Sequence, residues 1–473
     1  MPDGSAKMNR RVLMIAHEFP PIAAGGVVRS LKFARYLPRC GWQPHVLTVR
    51  NPDWPSHDAS VLDQLDRQVC IHRTRTWESH VPREALVRLG SALGLDSNRL
   101  RGALEWRLGA IYRQLAIPDQ RVFWALPAVI TGLGVMLRHR IDAIYSTSWP
   151  YSDHIAGWLL SKLTGRPLIA DLRDPWTQHL NYRARDRGWD RMQRKLERAV
   201  CRQARFVIAP ALKSTQMMRR LMGDMPGKKF VTIRNGYDPA DFVGTVEPSG
   251  TFDVVHAGTF YKSRQPDALL EGLERFLRRV PQAQQHTRVR LFGMSLDSDL
   301  TRCRGRRCVE LHGWTAHKKV IEVYRRSSVL LLLRHFEGTP EITLPGKVFE
   351  YMATGNHILA VQAPQRELDG ILKAYGQATV LRKNDPELLA AALEQLYRRW
   401  RRGDLAAVPP PAVVERFNRV ALTGQLADLL HRAVGLKPMP ATKHRALQAF
   451  FQTPNSLLAT RNSLFASDNH SPI

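Results

Sequence analysis

Short apolar runs alternate with helix-period stretches along most of the chain, and this alternation is what most constrains its fold. Strands laid parallel in one sheet need crossover connections, and the helical stretches between the runs supply them. Val12–Ala16 reads as the first strand, followed by a loop rich in Pro, Ala and Gly, a helix over about 28–38 and a second strand at Pro44–Val49. Ala143–Ser146, Leu168–Asp171 and Phe206–Ala209 read as later strands of the same sheet, with helices around Pro127–Arg138, His154–Thr164 and Asp190–Gln203. A second series follows at Val254–Gly258, Arg288–Gly293, Val309–His312, Val329–Leu333 and His357–Val361. Between the series, Tyr237–Gly250 has little periodicity and is the predicted linker. Two α/β units joined in this way are expected to leave a ligand-sized cleft between them. Residues 75–120 read as a poorly patterned helical insertion in front of that site, and 436–473 as a weakly ordered tail.

Composition narrows the functional classes. At 473 residues with 44% hydrophobic content, the chain has enough apolar material for two proper cores. No stretch approaches 18 uninterrupted apolar residues, so no spanning helix is expected, and the short run at Val12–Ala16 reads as a strand and not as a signal peptide. The 5 cysteines are odd in number and sparse, which fits a reducing compartment. Cys303 and Cys308 have no second pair or histidine set to complete a metal site. A formal charge of +28 implies an anionic partner: a phosphorylated substrate, an acidic membrane surface or nucleic acid. Arg191, Arg194, Lys195, Arg198, Arg202 and Arg205 recur every three or four residues as a basic helical stripe, beside apolar Met192, Leu196, Ala199 and Val200. Such a helix suits anionic lipid, although a solvated charged face gives the same pattern. No interleaving of aromatic and basic residues accompanies the charge, so nucleic acid is not the predicted partner.

Four groups of residues follow predicted strands at their C-terminal ends. The most informative is Glu341-Ile-Thr-Leu-Pro-Gly-Lys347-Val-Phe-Glu350, which continues to Gly355. Lys347 and Glu350 lie one helical turn apart at a helix start, where free N–H groups and partial positive charge suit a phosphate and the carboxylate suits paired hydroxyls such as those of ribose. A capped amphipathic helix with Phe349, Tyr351 and Met352 in the core is the plain alternative. In His256-Ala-Gly258-Thr-Phe-Tyr-Lys262-Ser-Arg264, a glycine and two cations follow a strand, as a developing diphosphate charge would require without a metal. Solvated loop cations are the alternative there. Ala23-Ala-Gly25-Gly26-Val-Val-Arg29 places two glycines before a helix, open to close ligand approach or serving only as a turn. In Asp171-Leu-Arg-Asp174-Pro-Trp176, Asp174 is placed to accept a substrate hydroxyl or orient Arg173, the alternative being a mutual ion pair with Trp176 as packing. Gly313, after Leu311 and His312, ends a strand whose backbone is suited to line a base pocket. Dinucleotide and P-loop glycine patterns and a Gly-x-Ser-x-Gly elbow are missing from the sequence, and no Asp-x-Asp metal motif stands near any of these groups.

Assembled in order, these elements resemble the GT-B glycosyltransferases, specifically the retaining family 4 group, from about Val12 to Asp428. The resemblance rests on His17-Glu-Phe-Pro-Pro with Gly25 and Gly26, Tyr145-Ser-Thr-Ser-Trp-Pro150, Ala170-Asp-Leu-Arg-Asp-Pro-Trp176, Arg234-Asn-Gly-Tyr-Asp238, the Gly258 loop and Pro345-Gly-Lys-Val-Phe-Glu-Tyr-Met-Ala-Thr-Gly355. It implies an α/β protein of two Rossmann-like domains facing across a cleft. These are an acceptor-side domain over 1–236, to which 413–435 crosses back, and a donor domain over 250–412. It also implies transfer of a sugar, with retention, from a nucleotide-diphosphate sugar to a lipid-linked or polysaccharide acceptor. The nucleotide sugar is a substrate, and neither cofactor nor metal is expected. By the family pattern Lys262 or Arg264 holds the diphosphate, Glu350 the ribose, Gly26 the phosphates, and Glu341 contacts the donor sugar. Two departures stand out: Glu341 and Glu350 are separated by eight residues where relatives often have seven, and Ser148-Trp149-Pro150 lacks a histidine that some relatives carry. The charge adds an expectation of peripheral association with the inner, cytoplasmic membrane face. A non-catalytic GT-B-like protein that binds membrane or nucleic acid, and a GT-B-fold epimerase or phosphorylase, are the alternatives.

Overall fold

The protein is described here by a computed structural model covering residues 10–23, 25–50, 57–77, 115–179, 182–258, 266–293, 303–334, 342–405 and 412–439, with a few isolated positions between them. The chain divides into two compact units, the first formed by the residues up to Arg234 with Thr423–Ala441, the second spanning Asn235–Leu422.

In the first unit, β1 (Arg10–Ile15), β2 (Trp42–Val49), β3 (Cys70–Thr74), β4 (Ala143–Thr147), β5 (Leu168–Asp171), β6 (Phe206–Ala209) and β7 (Phe230–Thr232) form one sheet in the order β3-β2-β1-β4-β5-β6-β7. Every neighbouring pair is parallel. The order reverses between β1 and β4, the switch point at which such sheets bind ligands beyond their C-terminal ends. The crossovers include α1 (Val27–Tyr36), α2 (Val122–His139), α3 (Ser152–Thr164), α4 (Arg187–Gln203) and α5 (Leu212–Leu221). Central strands read as unbroken apolar runs because helices cover both faces: Leu13, Ile15, Leu47, Ile144, Leu168 and Ala170 all belong to one buried core. Burying each large apolar side chain stabilises the unit by about 1.5–3 kcal/mol.

The second unit repeats the plan with β8 (Phe252–Ala257), β9 (Thr287–Phe292), β10 (Val309–His312), β11 (Val329–Leu333), β12 (His357–Val361) and β13 (Ala378–Leu381), in the order β10-β9-β8-β11-β12-β13 and again parallel throughout. Its helices include α6 (Asp267–Arg279), α7 (His317–Arg326), α8 (Lys347–Thr354), α9 (Arg366–Tyr375) and α10 (Pro386–Arg401). A last helix, α11 (Arg419–Ala433), contains the division between the units at Thr423. Its His431 accepts from Trp42 Nε1 at 3.5 Å, and Arg432 lies over the Phe206 ring.

Three strands escaped the sequence pattern. β3 and β13 lie at sheet edges with mostly half-buried residues, and β7 has only 3 residues, so none has a continuous apolar run. The predicted linker, Tyr237–Gly250, follows within a few residues of the division between the units. The units divide between Arg234 and Asn235, and Tyr237 already pairs with Asn418 inside the second unit. The 75–120 insertion and the 436–473 tail lie mostly outside the described residues.

Two helices differ from expectation in an instructive way. α2 has 18 residues and a mean hydropathy of 1.4, enough by length and composition to cross a membrane. It lies on β1, β2 and α3, and buries Trp124, Ala128, Val129 and Met136 there. In α4 the buried face consists of Gln193, Glu197, Val200 and Cys201, while Met192 is 43% exposed and Arg205 falls beyond the helix end. The expected apolar face is therefore partly polar, and the basic stripe is partly neutralised. Arg194 pairs with Asp190 at 2.8 Å, and Asp224 takes both Arg198 at 2.5 Å and Arg202 at 3.0 Å.

Candidate functional site

In the second unit, three strand ends converge through glycine. β8 ends at Gly258, whose N–H donates to the Phe292 carbonyl at 2.8 Å and whose φ is +143°. Gly293, after β9, has φ +128°, and a Cβ there would press on the Gly258 backbone. Its N–H is shared between the His312 and Gly313 carbonyls at 3.2 and 3.3 Å, while Gly313 opens to free space. Phe292 and His312 stack face to face with centroids 4.3 Å apart and form one apolar side of this corner. Gly293 ended a predicted strand but was given no role. Its signal is the repetition of strand-then-glycine at Gly258, Gly293 and Gly313.

Lys347 enters the same corner from α8. Its ammonium donates to the Ala257 carbonyl at 2.5 Å, and a Cβ on Gly258 would overlap it. The helix begins at Gly346 with no side-chain cap, so its first N–H groups are not consumed by a capping side chain. Glu350, one turn on, accepts from His317 Nε2 at 2.9 Å, and its side chain is 15% exposed. His317 opens α7 and was not anticipated, because a lone histidine after Thr315-Ala316 carries no local signal. Val348, Phe349, Tyr351 and Met352 fill the core on the other side of α8, so the capped amphipathic helix and the charged wall are the same element. The corner thus offers one ammonium, a helix N-terminus without a side-chain cap whose Val348 and Phe349 N–H groups turn back to the Pro345 and Gly346 carbonyls, a carboxylate with one oxygen held by His317, and backbone bare of side chains. That set matches a phosphate and a pair of hydroxyls. Lys262, Arg264 and Glu341 lie outside the described residues.

In the first unit the same strand ends are crowded with charge. Gly26 lies under the Arg173 guanidinium, and any Cβ there would collide with it, whereas Gly25 faces open space. Arg173 reaches Glu18 at 3.4 Å and the Trp149 carbonyl at 3.3 Å. Arg173 thus pairs with Glu18, which follows β1 at the switch point next to β4, where the alternative reading had a mutual Arg173–Asp174 ion pair. Burial raises the Glu18 pKa, and Arg173 opposes that rise. Beneath them Arg29 is buried and pairs with Asp171 through Nε at 2.7 Å and through Nη2 at 3.2 Å. It also donates to the carbonyls of Ile233 and Arg234 at 2.9 Å each, and Tyr145 Oη donates to Asp171 at 2.5 Å. His154 is fully buried against Ser146 Oγ at 2.8 Å, with its pKa pushed down to about 3 by burial.

Asp174 opens onto a pocket of about 520 Å³ lined by Trp149, Tyr151, Trp176, Tyr182, Trp189 and Arg183 among others. Trp176 is packing as well as lining: it is buried in the core of the first unit, its ring stacks on Tyr151 at 4.8 Å, and its Nε1 donates to Gln193 at 2.7 Å. Gln193 in turn donates to the Pro118 carbonyl at 2.7 Å. Glu197, one turn further along α4, accepts from Thr177 Oγ1 at 2.6 Å, and burial raises its pKa to about 7. Neither the pocket nor Glu197 was legible in sequence, because both depend on α4 presenting polar residues to the core.

These two parallel sheets, each with its order reversing at a central strand, define two doubly wound α/β units. The family comparisons agree: the Glycosyl transferase 4-like domain matches residues 24–236, and the Glycosyl transferases group 1 domain matches residues 251–399. The chain belongs to the GT-B glycosyltransferases. Among solved structures it is similar to Anabaena HepE in complex with UDP and glucose, at TM-score 0.58 and 16% identity over 89% of this chain and 99% of that one. It is also similar to WaaG, a glycosyltransferase involved in lipopolysaccharide biosynthesis, at 0.51 and 12% over 89% and 99%. A trehalose-6-phosphate synthase, OtsA, gives 0.53 and 12% over 94% and 99%. At such identities these likenesses concern the fold alone. No curated protein gives a significant match.

Proposed function

We propose that this glycosyltransferase moves a sugar with retention from a nucleotide-diphosphate sugar to a lipid-linked or polysaccharide acceptor, without a metal in the transfer step. The observation that carries the donor part is the Gly258–Lys347–Glu350 corner, where an ammonium, the N-terminal end of a helix and a carboxylate are held beside bare backbone. The ammonium and the helix end stabilise negative charge on the departing diphosphate, joined by Lys262 and Arg264 from the loop that follows Gly258. Glu350, oriented by His317, takes the ribose hydroxyls, while Glu341 contacts the donor sugar. Gly25 and Gly26 are assigned to phosphate by the family pattern, Gly25 facing open space and Gly26 lying under the Arg173 guanidinium. On the acceptor side, the aromatic pocket beside Asp174 supplies flat apolar walls for sugar rings and a carboxylate for the attacking hydroxyl. Among proteins of the same fold, HepE is seen with UDP and glucose and WaaG is involved in lipopolysaccharide biosynthesis, which is in keeping with a nucleotide-sugar donor and a glycan acceptor.

We further propose that the enzyme works at the cytoplasmic face of the membrane as a peripheral protein. Its charge of +28 and the exposed Arg191 and Lys195 of α4 support attraction to anionic lipid. Co-sedimentation with anionic vesicles tests this part, and binding that is absent or insensitive to salt removes it. For the transferase itself, a panel of UDP- and GDP-sugars is incubated with the enzyme and lipid or polysaccharide acceptors, and nucleotide release is measured. Release that depends on acceptor supports the proposal; turnover of donor without acceptor favours an epimerase; no turnover with any donor overturns it.

A further inference from the structure

Three histidines meet on a face of the first sheet, on β2, β3 and the end of α2. In the β2–β3 ladder His45 lies opposite Cys70 and Leu47 opposite His72, so both imidazoles project from the same face two residues out of step. α2 covers that region and ends at His139 before Arg140 turns left-handed. The rings close into a cluster: His45 stacks on His72 with centroids at 5.3 Å, and His139 lies 4.5 Å from His45 and 5.6 Å from His72. One nitrogen from each of the three lies within 4.8 Å of the others.

Hydrogen bonding alone does not account for this cluster. A neutral imidazole has one donor and one acceptor, and the cluster uses one of each in the 3.0 Å contact between His45 Nδ1 and His72 Nε2. The other His45 nitrogen, Nε2, is buried on a residue that is 1% exposed and has no partner among the described residues. Protonation is no remedy, because a second charge would sit against the first and beside Arg11. Burial and the neighbouring imidazoles push the His45 pKa down to about 4, and burial with His139 lowers that of His72. Neutral imidazole is the form that ligates metals, and the three rings each present one nitrogen to a common point.

We propose that His45, His72 and His139 bind one transition-metal ion of the Zn2+ class, tying the β2–β3 edge to the end of α2. Three imidazoles with no carboxylate favour Zn2+, Ni2+ or Cu2+ over Mg2+ or Ca2+. Metal–nitrogen bonds of about 2.0–2.1 Å place tetrahedral ligand atoms about 3.3 Å apart, so the cluster tightens modestly on binding and leaves a fourth position for water. Arg11 is held by Gln43 Oε1 at 3.3 Å and the His139 carbonyl at 2.8 Å, and its charge moderates the affinity. The site lies below the strand ends that carry Gly26 and Asp174, so its role is to hold structure and not to take part in transfer.

The test uses the full-length protein after treatment with EDTA. Zn2+ is titrated calorimetrically and by thermal shift, with Mg2+ as control, and Co2+ is added as a visible probe of coordination. The proposal expects one saturable Zn2+ equivalent, a higher melting temperature, no response to Mg2+ and the intense d–d bands of four-coordinate Co2+. His139→Gln, at the half-exposed helix end, should weaken Zn2+ binding at least about tenfold and abolish the melting shift. His72→Gln should do the same, with circular dichroism verifying the fold of each variant. No saturable binding, a weak six-coordinate Co2+ spectrum, or equal binding by wild type and His139→Gln through others of the 17 histidines overturns it.

Discussion

The two units share one strand order but finish their strand ends in opposite ways. The second unit removes side chains: Gly258, Gly293 and Gly313 leave backbone bare, and a single lysine and a single glutamate enter from one helix. The first unit accumulates them: Arg29–Asp171–Tyr145 is buried below, Arg173–Glu18 covers Gly26, and an aromatic pocket lies beside Asp174. The difference follows from what each must recognise. A nucleotide diphosphate is a compact, highly charged ligand that backbone amides and a cation can hold. An acceptor glycan is bulky and neutral in its rings, and is better met by flat apolar walls with a few polar groups.

The largest effect should come from the charge-dense side. Replacing Arg29 by Ala leaves Asp171 buried without its cation and strips two carbonyls of their donor, so we expect a loss of about 3–5 kcal/mol in denaturant unfolding. Nothing comparable is expected in the second corner, whose charges are half-exposed. Next in size is Gly258→Ala, which brings a Cβ onto the Lys347 ammonium at a φ of +143°. Donor affinity measured calorimetrically should fall about tenfold or more, a change worth about 1.4 kcal/mol. Gly25→Ala, which meets open space, should leave the fold intact where Gly26→Ala displaces Arg173, and comparing the two melting temperatures shows whether crowding is confined to Gly26.

Much of this plan was legible in sequence. Central strands such as Val329–Leu333 are apolar throughout because both faces are covered, and Leu168–Asp171 is apolar up to its terminal Asp171. Lys347 and Glu350 were legible because one helical turn links them locally. What escaped depends on distant parts of the chain. Glu18 reaches Arg173 over 155 positions, His317 reaches Glu350 over 33, and the three histidines come from two strands and a helix end. The polar face of α4 was misread for the same reason: Gln193 and Glu197 are buried only because Trp176 and Thr177 come back to meet them.

A subtler contrast concerns pH. The Glu197 carboxyl has its folded pKa raised from 4.5 to about 7 by burial, so the folded state holds this proton more tightly than the unfolded chain. Its contribution is fully favourable below about pH 4.5 and is lost as pH rises through about 7, a change of at most about 3 kcal/mol. Glu197→Gln should flatten this part of the stability–pH curve, measured by thermal unfolding between those pH values. The smallest effect is expected at His317→Gln, which removes a support for Glu350 but no direct donor contact, so donor KM should rise about two- to fivefold with kcat kept.

The account rests on the donor corner of the second unit, and titration of UDP- and GDP-sugars into wild type, Lys347→Ala and Asp174→Asn tests it most directly. Saturable binding of one donor class by wild type and Asp174→Asn, lost in a folded Lys347→Ala variant, is the predicted result. Equal binding by wild type and Lys347→Ala, or no binding of any donor by wild type, would contradict it.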